Sequence, residues 1–128
     1  INLAKPITTR EEYEDPNTIK IVMDLEGNAL YFSRQSIPTC TSSNPSQSPI
    51  HKQVCIIPFR RKMLLKYSEL EPTPLEVAES VDMMRFLEHG YKVRMVRTEH
   101  ISHAVDTEAD RIMVESIMKE DPLLKTYM

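Results

Sequence analysis

Tryptophan is absent, and glycine occurs only twice in 128 residues, at Gly27 and Gly90. So little glycine leaves no Gly-rich loop that could wrap a triphosphate with backbone N–H groups. Cysteine is as scarce. Cys40 lies in a Ser/Thr/Pro stretch and Cys55 in an apolar run, without the spacing or histidine neighbours of a zinc site, so the expectation is one loop thiol and one core thiol. No apolar run approaches the roughly 20 residues that cross a bilayer, and no signal-peptide pattern opens the chain, which predicts a soluble intracellular protein without a membrane partner. Positive charge is not in excess either. Sixteen Lys+Arg against 19 Asp+Glu leave a net charge of −3, and no basic stripe is interleaved with aromatics, so nucleic acid is not an expected partner.

What is present is enough apolar content, 41%, to bury one core, and the length predicts one domain or a piece of one. The chain opens on Ile1 in a strand-like run, which suggests that its front is missing. Residues 1–4 read as a short strand. Thr8 and Thr9 with Glu11 and Glu12 offer overlapping capping boxes for a brief helix closed by Asp15 and Pro16. TIKIVM at 18–23 and the run at 29–33, joined by a turn through Gly27, read as a hairpin delivering Tyr31, Phe32 and Arg34 to its end. Residues 35–50 shift to Ser, Thr and Pro and predict a mobile loop. A strand is expected over 53–59, interrupted by Pro58, then a helix over 61–70.

Residues 72–93 contain a start signal, an apolar stripe and a stop signal. Thr73, Pro74 and Glu76 form a capping box with proline at the first helical position. Leu75, Ala78, Val81, Met84 and Leu87, widened by Val77 and Phe86, predict one continuous helix with Glu76, Ser80 and Arg85 toward water, ended by His89 and Gly90. A half-buried strand at 91–95 and a last helix carrying Ala109, Ile112, Met113 and Ile117 inward complete an α/β pattern.

Among residues that could carry chemistry, Asp106 sits between a strand-like approach and a helix start. It suits either an N-cap or a magnesium ligand, since Mg²⁺ takes one or two carboxylates plus substrate phosphates. Arg34 at a strand end is either a surface arginine or a bidentate partner for a carboxylate. His51, His89, His100 and His103 show no metal-type pairing and read as solvated, and Arg60-Arg61-Lys62 reads as a solvated helix start.

Several blocks taken together resemble a known family. They are Asp15-Pro16-Asn17 through IKIVMD, ALYFSR with Ile37-Pro38, the strand ending Phe59-Arg60-Arg61, PTPLE with AES and Arg85, and VDT at 105–107. Their order and spacing are similar to the C-terminal half of CMP-Kdo synthetases, the 3-deoxy-manno-octulosonate cytidylyltransferases, relatives of the CMP-sialic acid synthetases. The resemblance implies residues 1–128 of a nucleotide-diphospho-sugar-transferase-like, Rossmann-like α/β sheet, with a sugar-binding and dimerisation region over about 29–90. The N-terminal CTP-binding half would lie outside the chain.

The implied reaction joins CTP to an acidic sugar such as Kdo with Mg²⁺, releasing pyrophosphate, in a cytoplasmic homodimer of lipopolysaccharide biosynthesis. Asp106 matches the family's C-terminal metal ligand and Arg34 a sugar-site arginine. Gln53 stands where the family has histidine, Ile57 where it has tyrosine, and Asp82-Met83 where it has a Glu-Gln pair. Gln53 and Asp82 keep hydrogen-bonding capacity, whereas Ile57 and Met83 lack the donors they replace, so the site should discriminate differently and the acceptor is either Kdo or another acidic substrate. A rival reading of another class is a non-catalytic dimerising module, compatible with the broad apolar helix face and the eight methionines.

Overall fold

In a computed structural model the described residues are 1–40, 49–100, 102–105 and 107–127, apart from the side chains of Lys125 and Tyr127. The elements in chain order are β1 (Asn2–Pro6), α1 (Arg10–Glu14), β2 (Lys20–Met23), β3 (Ala29–Ser33), β4 (His51–Val54), α2 (Arg61–Glu69), α3 (Pro74–Glu79), α4 (Met83–Glu88), β5 (Met95–Arg97), α5 (Glu108–Glu120) and α6 (Leu124–Tyr127). The strands form one sheet in the order β3-β2-β4-β1-β5. Neighbours pair antiparallel except β1 and β5, which run parallel. This is the expected mixed α/β architecture.

Local chemistry explains most elements. Thr9 caps α1 by accepting the Glu12 N–H at 3.2 Å, and Thr107 caps α5 by accepting the Asp110 N–H at 3.2 Å. The hairpin turn is held by Asp24, whose carboxylate accepts from the Asn28 backbone N–H at 2.7 Å and side-chain amide at 3.0 Å. Gly27 takes φ +82° there, a left-handed backbone that glycine adopts without steric cost. The core joins Ala4, Ile21, Ala29 and Phe32 of the sheet to Val81, Met84 and Phe86, with Val93 and Met95 beneath. Phe86 is its aromatic centre, with ring centroids 5.2 Å from Tyr67, 5.8 Å from Phe59 and 6.0 Å from Tyr91.

The continuous helix expected over 74–88 is two helices. Ser80 stands between them in the left-handed region at φ 54°. The cause is tertiary: Arg34 Nε donates to the Glu79 carbonyl at 2.9 Å and its Nη2 to the Ser80 carbonyl at 3.2 Å. In an unbroken helix those carbonyls would accept from Met83 and Met84. The break also turns α3, so Val77 is exposed while Glu76 is buried. Glu76 pairs with Arg85 through Nη2 at 2.6 Å and Nε at 2.7 Å, and Arg85 lies over the Tyr67 ring at 4.3 Å.

Other expectations change as well. Cys55 is exposed and Cys40 half-buried, because β4 ends at Val54 and Cys40 packs against Ile7, Tyr13 and Ile50. His51 is buried within β4, and burial holds its imidazole below the ordinary value. The last strand forms at Met95–Arg97 rather than at 91–95, Tyr91 being drawn edge-on to Phe86. Of the expected loop at 35–50, residues 41–48 lie outside the described residues. Its first part is tied down by the Tyr13 hydroxyl, which donates to the Ser36 carbonyl at 3.0 Å and the Pro38 carbonyl at 2.6 Å. In α5, Ala109, Ile112, Met113 and Ile117 face outward, since α4 fills the core side of the sheet.

Candidate functional site

The edges that meet at the 15–18 turn leave an open cleft of about 670 Å³ between that turn, the end of β3, β4 and residues 102–104. A smaller cavity of about 340 Å³ shares Asn17, Thr18, Lys52 and His103 with it and continues to Asp15 and Asp110.

Arg34 and Gln53 both line the main cleft. Arg34 follows β3 directly, and its guanidinium is fixed by three backbone carbonyls, those of Glu79, Ser80 and Pro16, the last at 3.1 Å. Five guanidinium N–H groups less three leave two for a ligand. Gln53 comes from β4, where pairing with β1 sets its register opposite Ala4. Its side-chain oxygen is buried without a hydrogen-bond partner, an acceptor that a ligand hydroxyl would satisfy at a site otherwise paying for desolvation. Lys52, the preceding residue, also lines the cleft and pairs with Glu12.

Asp82 stands apart from this cleft. It is the exposed N-cap of α4, two residues beyond the Ser80 carbonyl that Arg34 holds. Asp106 lies outside the described residues. Among the described residues no three His, Cys, Asp or Glu side chains gather as a metal group. Ile57 and Met83 line a separate cavity of about 450 Å³ with Phe59 and Phe86.

Two further residues of this geometry, Glu79 and Lys20, lie inside the AES and IKIVMD blocks without having been expected at the site. Glu79 accepts from the Tyr31 hydroxyl at 3.1 Å, from Ser33 Oγ at 2.9 and 3.0 Å, and from the Arg34 backbone N–H at 3.0 Å. Lys20 is fully buried, and burial is the main cause holding its ammonium below the ordinary value, with Arg34 nearby adding to it and Asp15 opposing. The signal for Lys20 was present: a charge inside the apolar run TIKIVM needs partners once the strand is buried. Glu79 belongs to the AES block, and no spacing marks it.

The fold is a mixed α/β sheet of the nucleotide-sugar-transferase type, with an open cleft that presents guanidinium N–H groups and an unpaired amide oxygen. The sequence pattern of the cytidylyltransferases matches residues 1–113, and the chain belongs to the cytidylyltransferase family. It is 40% identical over 111 residues to the mitochondrial 3-deoxy-manno-octulosonate cytidylyltransferase of Arabidopsis thaliana, covering 86% of this chain and 38% of that protein. It is 35% identical over 124 residues to the 3-deoxy-manno-octulosonate cytidylyltransferase of Syntrophotalea carbinolica, covering 91% and 50%. The solved structure of CMP:2-keto-3-deoxy-manno-octonic acid synthetase complexed with CTP superposes with a TM-score of 0.81 at 31% identity, covering 93% of this chain and 48% of that one. The chain thus spans about half the length of the curated relatives it matches. Among the described residues no helix is long and apolar enough to cross a membrane.

Proposed function

We propose that the chain is the C-terminal half of a cytidylyltransferase that transfers CMP from CTP to an acidic sugar and releases pyrophosphate, acting as a cytoplasmic homodimer. The observation that carries this reading is the pairing, on one cleft, of a braced guanidinium with two spare N–H groups and a buried amide oxygen without a partner. Arg34 binds the sugar carboxylate bidentately. Gln53 accepts from a sugar hydroxyl, and Asp82 contributes a further hydroxyl contact if the acceptor extends past Ser80. Asp106 would hold a magnesium ion in part, and the ion would supply charge neutralisation on the phosphates. The chain's own residues orient the acceptor oxygen for in-line attack on the α-phosphorus, where positioning accounts for most of the rate.

The acceptor is Kdo or a related acid. Ile57 and Met83 offer no hydrogen-bond donor and are turned into the neighbouring apolar cavity, which favours an acid with fewer hydroxyls to satisfy there. The test is to incubate the full-length protein with CTP, Mg²⁺ and a panel of 2-keto sugar acids and to measure pyrophosphate. Release with one of them is expected, and none with any acid refutes the reading. Asp106→Asn should abolish turnover with the melting temperature unchanged; near-normal activity removes Asp106 from the mechanism.

One observation favours a second reading, a non-catalytic dimerising module. Ile112, Met113, Ile117 and Met118 of α5 are 43–58% exposed, an apolar face of the kind that another polypeptide covers. A concentration-independent monomer in sedimentation velocity would rule that reading out.

A further inference from the structure

The Lys20 ammonium donates to three backbone carbonyls: Asp15 at 2.8 Å, Thr18 at 2.7 Å and Arg34 at 2.6 Å. Two of these belong to the turn whose Asn17 and Thr18 line the cleft, and the third to the residue whose guanidinium also lines it. A second tie runs the other way, from Arg34 Nη1 to the Pro16 carbonyl at 3.1 Å. The two cations therefore lock the turn and the end of β3 into one rim.

A buried charge is expensive, and an apolar side chain would pack in that strand at lower cost. An ammonium presents three donors from a single atom to carbonyls converging from different directions, and a guanidinium is the other side chain that joins a charge to that many donors. The direct partners of Lys20 are all neutral dipoles, while the carboxylates of Asp15 and Glu79 stand near enough to favour the charge without touching it.

We propose that Lys20 is a positioning residue of this cleft. Its buried ammonium braces the 15–18 turn against Arg34, so that the guanidinium is set in advance for the substrate carboxylate. The proposal rests on the cytidylyltransferase reading for the identity of the anion, and on geometry alone for the bracing.

The test uses the full-length protein and the variant Lys20→Met, which keeps the length of the side chain and removes charge and donors. Two readouts are taken. The first is hydrogen exchange at the Arg34 Nε–H, followed by ¹⁵N NMR, which is expected to speed up about tenfold or more as the bracing is lost. The second is steady-state kinetics. The KM for the acidic sugar is expected to rise about tenfold or more while the KM for CTP stays within about twofold, the pattern of one lost charge-assisted contribution at the acid.

Lys20→Arg, which restores charge and donors, should recover at least half of each effect. An unchanged Arg34 exchange rate in folded Lys20→Met overturns the bracing. A rise in both KM values alike, or in neither, overturns the effect on the acid. If the parent protein transfers CMP to no acid, the functional reading fails, while the exchange measurement still decides whether Lys20 braces Arg34. Should Lys20→Met fail to fold, Lys20→Arg decides: an acid KM within about threefold of the parent supports the proposal, and a rise of about tenfold or more overturns it.

Discussion

Replacing Glu79 tests how the cleft is held to the sheet. Its carboxylate receives Tyr31 Oη, Ser33 Oγ and the Arg34 backbone N–H, all between 2.9 and 3.1 Å. A hydrogen bond to a charged group contributes about 1.5–3 kcal/mol. Glu79 is half-buried and water can reach part of the space it would vacate, so the three donors together give about 2–4 kcal/mol for Glu79→Ala.

Glu79→Gln should cost about half as much, for a reason of geometry. The amide oxygen can stay on the Arg34 N–H, and the amide nitrogen then faces Tyr31 and Ser33, whose hydroxyls can rotate to accept from it. Urea denaturation followed by circular dichroism measures both variants. With a slope of about 2 kcal/mol per molar urea, the midpoint should fall by about 1–2 M for alanine and by less than 1 M for glutamine. A loss under about 0.5 kcal/mol for alanine, or an equal loss for both variants, would refute the assignment of Glu79 as the anchor.

Two further outcomes follow from the core and from α3. Phe86→Ala should destabilise by about 3–5 kcal/mol and, since the chain has no tryptophan, should weaken the near-ultraviolet signal of Tyr67 and Tyr91, which pack against that ring; a loss below 1 kcal/mol by denaturant melt would contradict the packing. The Glu76 carboxyl is held below its ordinary value first by the hydrogen bond from Arg85, with burial opposing and the Thr73 N–H assisting. A depressed folded value means that this pair's stabilisation is present above the unfolded carboxylate range near pH 4.3 and is lost as pH falls through the folded value. Arg85→Met should therefore be less stable than the parent at neutral pH, with the difference narrowing below about pH 4 in thermal melts; a difference independent of pH would count against the pair.

The parts of the fold legible in the sequence are those whose cause is local. Thr9 and Thr107 cap helices because their hydroxyls reach an N–H three residues on, and Gly27 turns the hairpin because its φ is +82°. Tertiary causes were not legible. A buried run at 53–59 predicted a core Cys55, but β4 ends at Val54, opposite Leu3 near the start of β1 and past its last pairing with β2 at Lys52, and the thiol is left outside. Helical periodicity in α5 predicted an inward face, yet periodicity states only that a face is apolar, and among the described residues the core is already filled by α4.

The site divides along the same line. Arg34 and Gln53 were identifiable by resemblance, and they do share a cleft. The groups that make Arg34 usable, Lys20 and Glu79, lie 14 and 45 residues from it in sequence, a separation that no local pattern encodes. The break at Ser80 shows why fold and site cannot be read separately here. The guanidinium takes the Glu79 and Ser80 carbonyls from the helix and so ends α3. Ending α3 turns Glu76 inward to Arg85 and leaves the Glu79 carboxylate on β3. The arginine proposed to hold the substrate is thus also the cause of the helix break that keeps it in place.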